Sequence, residues 1–245
     1  MRYKIRFYTE NDMNISIHYN IELAKAVRNL LNPKYREFVD KGGFSLGKAI
    51  YKPYTFSRLF PQEYRVTNSK LEIKKGYVDL IVSSIDENFW FSFLEGLLKE
   101  KKITLYGNTM YLDSFAIKKF KRKNKMIVKT LSPIMCRINL SEQTKNEFEL
   151  FLKGNVVNKA CVFKKRIFSL DDINLKFFEN TVKETIVMLN GTPNKAYSGL
   201  ILLDGDEDIV EVAYFTGIGP KNALGFGCVE DIKLKNERVI YKLSL

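Results

Sequence analysis

Histidine is nearly absent from this 245-residue chain, which contains only His18. That rules out zinc sites built on several imidazoles. Serine or cysteine triads of the common type cannot be assembled without histidine partners. Cysteine is also scarce: Cys136, Cys161 and Cys228 are widely spaced, with no C-x-x-C pair. Such spacing offers no zinc site and suits reduced thiols in a cytosol. No apolar run approaches the length of about 20 residues needed to cross a bilayer, and no signal core follows the N-terminus. The expectation is a cytoplasmic, soluble protein with no membrane partner. Phosphate loops of the G-x-x-x-x-G-K-[ST] type, G-x-S-x-G elbows and H-E-x-x-H helices are all missing. Gly217-x-Gly219 does not continue into a dinucleotide fingerprint and has no βαβ unit after it.

What the chain does have is a folded composition and a positive surplus. Hydrophobic residues make up 45% and aromatics 13%, enough for an ordinary core. The formal net charge of +12 favours polyanions, nucleic acid first and an anionic membrane surface second.

Periodicity predicts the order of elements. Residues 2–8 alternate as a half-buried strand. Asn20 is placed to cap a helix through Leu31, and Pro33 to start a short helix over 33–40. Residues 48–60 and 71–83 read as extended. Asp86 caps a helix with Phe89, Trp90, Phe93 and Leu97 on its core face, and 103–117 reads as strands around Gly107-Asn108. That order is the ferredoxin-like βαββαβ unit. The second half reads as a rougher repeat. It has a strand over 126–138, a helix from Ser141 to Leu152 and an extended stretch over 157–170. A helix from Asp171 or Asp172 to Asn190, capped by Gly191, comes next. After it lie a strand over 197–203, an ambiguous 207–216, and closing strands over 226–234 and 238–244. The expected fold is α+β, two tandem ferredoxin-like domains, residues 1–122 and 123–245, the second carrying a C-terminal glycine-rich loop.

Three stretches carry candidate chemistry. Gly217-Ile-Gly219-Pro-Lys221-Asn222-Ala-Leu-Gly225-Phe-Gly227 has four glycines, a cation and an amide. It reads either as a turn before the last strands or as a loop that admits an anion such as a phosphodiester. Lys118, Lys119, Lys121, Arg122, Lys123 and Lys125 form the densest basic run, either a solvated linker or an arm on phosphates. Asp204, Asp206, Glu207 and Asp208 read as a surface turn in preference to a Mg²⁺ site.

With these residues in view, the glycine-rich loop resembles the signature loop of the CRISPR-associated RNA-processing endoribonucleases, the Cas six family of the RAMP superfamily. Tyr19-Asn20 before the first helix, and Lys52-Pro-Tyr-Thr-Phe-Ser-Arg58-Leu-Phe60, are similar to further family segments. The resemblance implies binding of CRISPR repeat RNA and cleavage of precursor CRISPR RNA with no cofactor and no metal. The repeat's 2′-hydroxyl would attack the adjacent phosphate and leave a 2′,3′-cyclic phosphate. An effector complex or a homodimer would be further partners. Asp40 stands where many relatives carry the catalytic histidine, which implies impaired activity or binding without cleavage. Lys52 matches a lysine that stabilises transition-state charge, with Lys48 a nearby substitute. Tyr35 offers a phenol, and His18 a lesser candidate. For RNA contact the candidates are Arg58, Arg65, Lys118, Lys119, Lys121 and Arg122, with Gly217, Gly219, Lys221, Asn222, Gly225 and Gly227 of the loop.

Overall fold

The computed structural model describes residues 1–141 and 143–232. Its first unit begins with strand Arg2–Thr9 (β1), followed by helices Asn20–Asn29 (α1) and Pro33–Asp40 (α2). Strands Tyr54–Phe56 (β2) and Gly76–Ser84 (β3), helix Glu87–Glu100 (α3) and the hairpin of Lys102–Leu105 (β4) with Asn108–Ile117 (β5) complete it. The sheet runs β4-β5-β1-β3-β2. Without the extra hairpin strand, this is the fourth-first-third-second order of a ferredoxin-like sheet. Strand β1 lies at its centre because its alternation serves both faces. Tyr3, Ile5 and Phe7 are buried in the core, while Lys4, Arg6 and Tyr8 stay partly exposed.

The same order recurs in the second unit: Lys125–Thr130 (β6), Lys145–Lys164 (α4), Ile173–Phe177 (β7), Leu200–Gly205 (β10), Glu207–Thr216 (α5) and Val229–Asp231 (β11). Its sheet runs β7-β10-β6-β11. Between β7 and β10 a hairpin, Lys183–Leu189 (β8) and Thr192–Ser198 (β9), pairs with Ile134–Met135 as a separate sheet. The fold is α+β with two tandem ferredoxin-like domains. One apolar cluster gathers residues between Tyr3 and Met110, a second residues between Met126 and Val229.

Several local expectations are corrected. The helix expected from Ser141 starts at Lys145 and continues to Lys164, through the Val157 region that reads as extended. Phe148, Leu152, Val156 and Ala160 recur every four residues on its buried side, so the core face continues past the Val156-Val157 pair. The helix expected over 171–190 is instead a 3₁₀ turn at Leu170–Asp172 followed by β7 and β8. Ile173 and Phe177 are four apart, a spacing that fits either period; Leu175 between them is also buried and decides for a strand. Asn190 and Gly191, both at positive φ, form the β8–β9 turn and not a helix cap. The β4–β5 turn lies at Tyr106-Gly107, one residue earlier than expected. Asn20 is the first residue of α1 and not its cap. Residues 207–216 are helical, with Asp206 accepting from the Asp208 N–H. The closing strand expected over 238–244 lies outside the described residues.

The two domains are joined through buried hydrogen bonds. Arg2 is fully buried, and its guanidinium donates to the Val229 carbonyl at 2.5 Å, the Tyr214 carbonyl at 2.6 Å and Ser83 Oγ at 3.2 Å. It also lies 3.8 Å over the Tyr214 ring. Ser132 Oγ donates to Phe56 O and Thr55 Oγ1 to Phe226 O, while the Gly227 N–H donates to Pro133 O within the second domain. Gly225 sits at φ +75°, and a Cβ there would fall 2.4 Å from the Phe56 ring. Gly225→Ala combines a left-handed side chain with overpacking, so a loss of at least about 2 kcal/mol is expected. Arg2→Met leaves two buried carbonyls without donors and is expected to cost about 3 kcal/mol or more. Thermal melts check both, with a fall of several degrees expected for each.

Candidate active site

Asp40, Lys52 and Arg28 meet where α2 ends. Asp40 is the last residue of α2, and its half-exposed carboxylate is gripped by the Arg28 guanidinium from the last turn of α1. The Arg28 hydrogen bond, followed by the Lys52 and Arg36 charges, holds its pKa below the usual carboxylate range despite some burial. Lys52 donates to the Val39 carbonyl at the open end of α2, a favourable place for a cation. Partial burial lowers Lys52, and the Asp40 charge opposes that shift. Beneath them Tyr54 is buried and stacks on Phe89, with a centroid separation of 4.6 Å. A groove of about 350 Å³ lined by Lys34, Glu37, Phe38, Lys41, Gly42 and Gly43 runs beside the same helix.

This cluster offers an ionised carboxylate and a desolvated ammonium, not an imidazole-like acid. Tyr35 does not join it. Its hydroxyl donates to Asp86 Oδ2 at 2.5 Å, and burial with that bond raises its pKa far above the ordinary phenol value. Tyr35 ties α2 to the cap of α3. His18 is elsewhere: its Nδ1 accepts from the Met188 N–H at 3.3 Å, and burial with the Arg58 charge lowers its pKa. Lys48 lies on the exposed hairpin Ser45–Ile50, whose neighbour Phe44 packs on Phe163 of α4 with centroids 5.2 Å apart.

Most of the residues expected to contact RNA are engaged inside the protein. Arg58 donates to Asn20 Oδ1 and to the Ile17 carbonyl, and lies 4.0 Å over the Tyr19 ring. Asn20 in turn donates to the Leu224 and Gly225 carbonyls. Lys118 pairs with Glu230, while Arg122 pairs with Asp208 at 2.6 Å and lies near Glu207 and Glu211. Lys123 and Lys125 bind Asp231 and Asp204 at 2.6 and 2.8 Å. The basic run is thus neither a free linker nor a bare arm; it is stitched to the acidic side of the second domain. The acidic group at 204–208 is its counterpart, and Asp206 caps α5. Lys119, Lys121 and Arg65 are exposed and form no ion pair among the described residues.

The glycine-rich loop faces inward. Gly217, Gly219, Asn222, Gly225 and Gly227 are buried, and Lys221 alone of the loop candidates is exposed. A Cβ at Gly227 would fall 1.9 Å from the Ile218 carbonyl, so the glycines allow backbone to pack on backbone. The loop packs at the domain junction, where Gly225 meets the Phe56 ring. Sequence reading missed Arg2, Arg28 and Lys159. Lys159 carries a recognisable signal, a charged residue with apolar Val156 and Val162 three residues to either side on the helix, whereas Arg2 carries none because Lys4 and Arg6 share its alternation.

Two ferredoxin-like units in tandem, with a glycine-rich loop before β11, define the α+β class of the described residues. A model of the C-terminal region of CRISPR-associated protein Cas6 matches residues 115–231. CRISPR-associated endoribonuclease Cas6 1 of Methanocaldococcus jannaschii is 25% identical over 257 aligned positions, covering 97% of this chain and 95% of that protein. The structure of a Cas6-related gene product from Pyrococcus furiosus superposes with TM-score 0.81 at 20% identity, over 96% of this chain and 99% of the other. A RAMP protein described as binding different RNA substrates superposes with TM-score 0.79 at 20% identity, over 95% and 100%. Over nearly its whole length the chain is therefore similar to Cas6 proteins.

Arg28→Gln removes the main cause of the Asp40 shift, so the carboxyl is expected to rise toward an ordinary value near 4. The folded-state pKa of Asp40 is depressed, so its pairing contributes stability above the unfolded value and loses it as pH falls. Because both side chains are over 40% exposed, that contribution is expected to stay under about 1 kcal/mol. Carboxyl NMR titration checks the first point and denaturant melts the second.

Proposed function

We propose that this protein binds the repeat of precursor CRISPR RNA and cleaves it within each repeat, using the junction of α1, α2 and Lys52 as its reaction centre. The near full-length relationship to an endoribonuclease supports the substrate class. The observation that carries the site is the meeting of Lys52, Asp40 and Arg28 at the open end of α2. In the proposed step the 2′-hydroxyl oxygen attacks the neighbouring phosphorus, the bond to the 5′-oxygen breaks, and a cyclic phosphate and a 5′-hydroxyl result. The 2′-hydroxyl proton must leave and the 5′-oxygen must gain one. Asp40, already ionised, takes the 2′-hydroxyl proton, as a weak base because Arg28 stabilises its charge. Lys52 stands to neutralise the phosphorane charge and to protonate the leaving oxygen, its burial making it a better acid than a solvated lysine. Arg28 stands to hold a phosphate oxygen. Residues 1–122 thus supply the chemistry, while 123–245 supply the loop that fixes their partner domain. Lys119, Lys121 and Arg65 are the basic-run and strand residues left for phosphate contact.

A second reading has its own observation. The Arg28 grip keeps Asp40 ionised, so no side chain there matches an imidazole that gives and takes protons near neutrality. On that reading the protein binds repeat RNA and retains it uncut. Incubation with end-labelled repeat RNA in EDTA separates the two. Discrete cleavage ending in a cyclic phosphate supports the nuclease, and tight binding with no cut supports the binder. Absence of repeat-selective binding at moderate salt sinks both. For the nuclease, Lys52→Ala is expected to slow single-turnover cleavage about 100-fold or more. Asp40→His is expected to speed it, on the order of tenfold or more; an unchanged rate would remove Asp40 from the reaction centre.

A further inference from the structure

Lys159 on α4 is 2% exposed and the only lysine in the buried set among the described residues. Its ammonium donates to the Gly217 carbonyl at 2.6 Å, the Gly219 carbonyl at 3.0 Å and Asn222 Oδ1 at 2.7 Å. Three protons meet three oxygens, so the group is saturated. All three acceptors are neutral. The charged groups on the surrounding elements are turned elsewhere. On α4, Lys164 takes Glu211 and Asp208 of α5, and Lys145 pairs with Glu179. In the loop, Lys221 is exposed, and the wall at Gly219 is Ile134, Leu152 and the Met135 carbonyl. An isolated buried charge is costly. A methionine would fill the space without that cost, so packing alone does not account for a lysine here.

The cage does not end at the loop. Asn222 Nδ2 donates back to the Phe226 carbonyl at 3.0 Å and to the Ile218 carbonyl at 3.4 Å. The Phe226 carbonyl also takes the Thr55 hydroxyl of β2, at 2.9 Å. On the loop's other side Asn20, gripped by Arg58, holds Leu224 and Gly225. A continuous chain of hydrogen bonds therefore runs from α4 of the second domain through the loop to α1 and β2 of the first.

We propose that Lys159 is the positioning residue of this junction, a latch whose ammonium holds the glycine-rich loop, and with it the two domains, in the arrangement that binds RNA. The RNA part rests on the function proposed above. A neutral amine has two protons and a lone pair, so one of the three oxygens would lose its donor and face a lone pair. Burial lowers Lys159 to about 7, which brings that exchange within reach of mild alkali. Other groups are displaced from that range: burial with the Arg58 charge lowers His18, the Met1 amino group is lowered to about 6, and burial raises the Cys136 and Cys228 thiols.

The two linkages have opposite signs. The folded pKa of Lys159 lies below its unfolded value near 10.4, so this group makes the fold more stable as pH rises between them. A loosening that leaves Lys159 buried takes acceptors from the ammonium without returning it to water, so RNA that requires the closed loop prefers the ammonium and affinity falls as pH rises over the same window. A lysine with a merely structural role would not separate the two.

Amide exchange over residues 216–228 and binding of a fluorescein-labelled CRISPR repeat RNA are measured from about pH 6 to about pH 9. In the native sequence, loop exchange corrected for its intrinsic rate should rise, and affinity should fall about tenfold, with no drop in melting temperature. Lys159→Arg, charged throughout, should flatten both profiles near the tight limit. Lys159→Met should flatten them at the loose limit, and either variant suffices if the other fails to fold. Flat wild-type profiles, or pH dependence kept in Lys159→Arg, would overturn the latch. Absent RNA binding with loop exchange still tracking pH leaves the latch standing and removes the RNA reading.

Discussion

The protein depends on one requirement, that every carbonyl of a tightly curled, buried loop find a donor. Glycines let residues 217–227 fold onto themselves, but the same curl strands carbonyls in the interior, where an unmet acceptor is expensive. Lys159, Asn222, Asn20 and Thr55 satisfy six of them from both domains. Arg2 does the same for Val229 and Tyr214 at the flank. The domain junction is therefore polar at its centre and directional, which fixes an angle better than an apolar patch would.

The electrostatics divide accordingly. Of a large positive surplus, a good part is spent internally: the 118–125 run is matched by acids of the second domain, and Arg2, Arg58 and Lys159 face carbonyls or amides. What remains for a polyanion is more scattered than the sequence suggests. The junction at Asp40 shows the same economy, since the Arg28 guanidinium is held by the Asp40 carboxylate.

Element order was legible because binary patterns and caps agree in the first domain. Asn32 and Asp86 accept from the N–H groups expected of caps, and β1 alternates cleanly. The second domain misled where a four-residue spacing served both periods, at Ile173 and Phe177, and where a valine pair lay inside a long helix. The neighbourhood of Asp40 and Lys52 was legible through resemblance, not pattern. The inward turn of the glycine loop was not, because a buried carbonyl leaves no mark in sequence except the distant donor it requires. Lys159 is 58 residues away from Gly217 and Arg2 is 227 from Val229, and no window along the chain spans such pairs.

That last separation bears on how the chain is made. Arg2 is placed in the first strand, but its two carbonyl partners leave the ribosome 212 and 227 residues later. At about 5–20 residues per second this is a wait of roughly 10–45 s. During it, the guanidinium has no acceptor in the chain beyond Ser83 and must stay hydrated. The domain junction can thus be completed only when strand β11 arrives, whatever has folded before it.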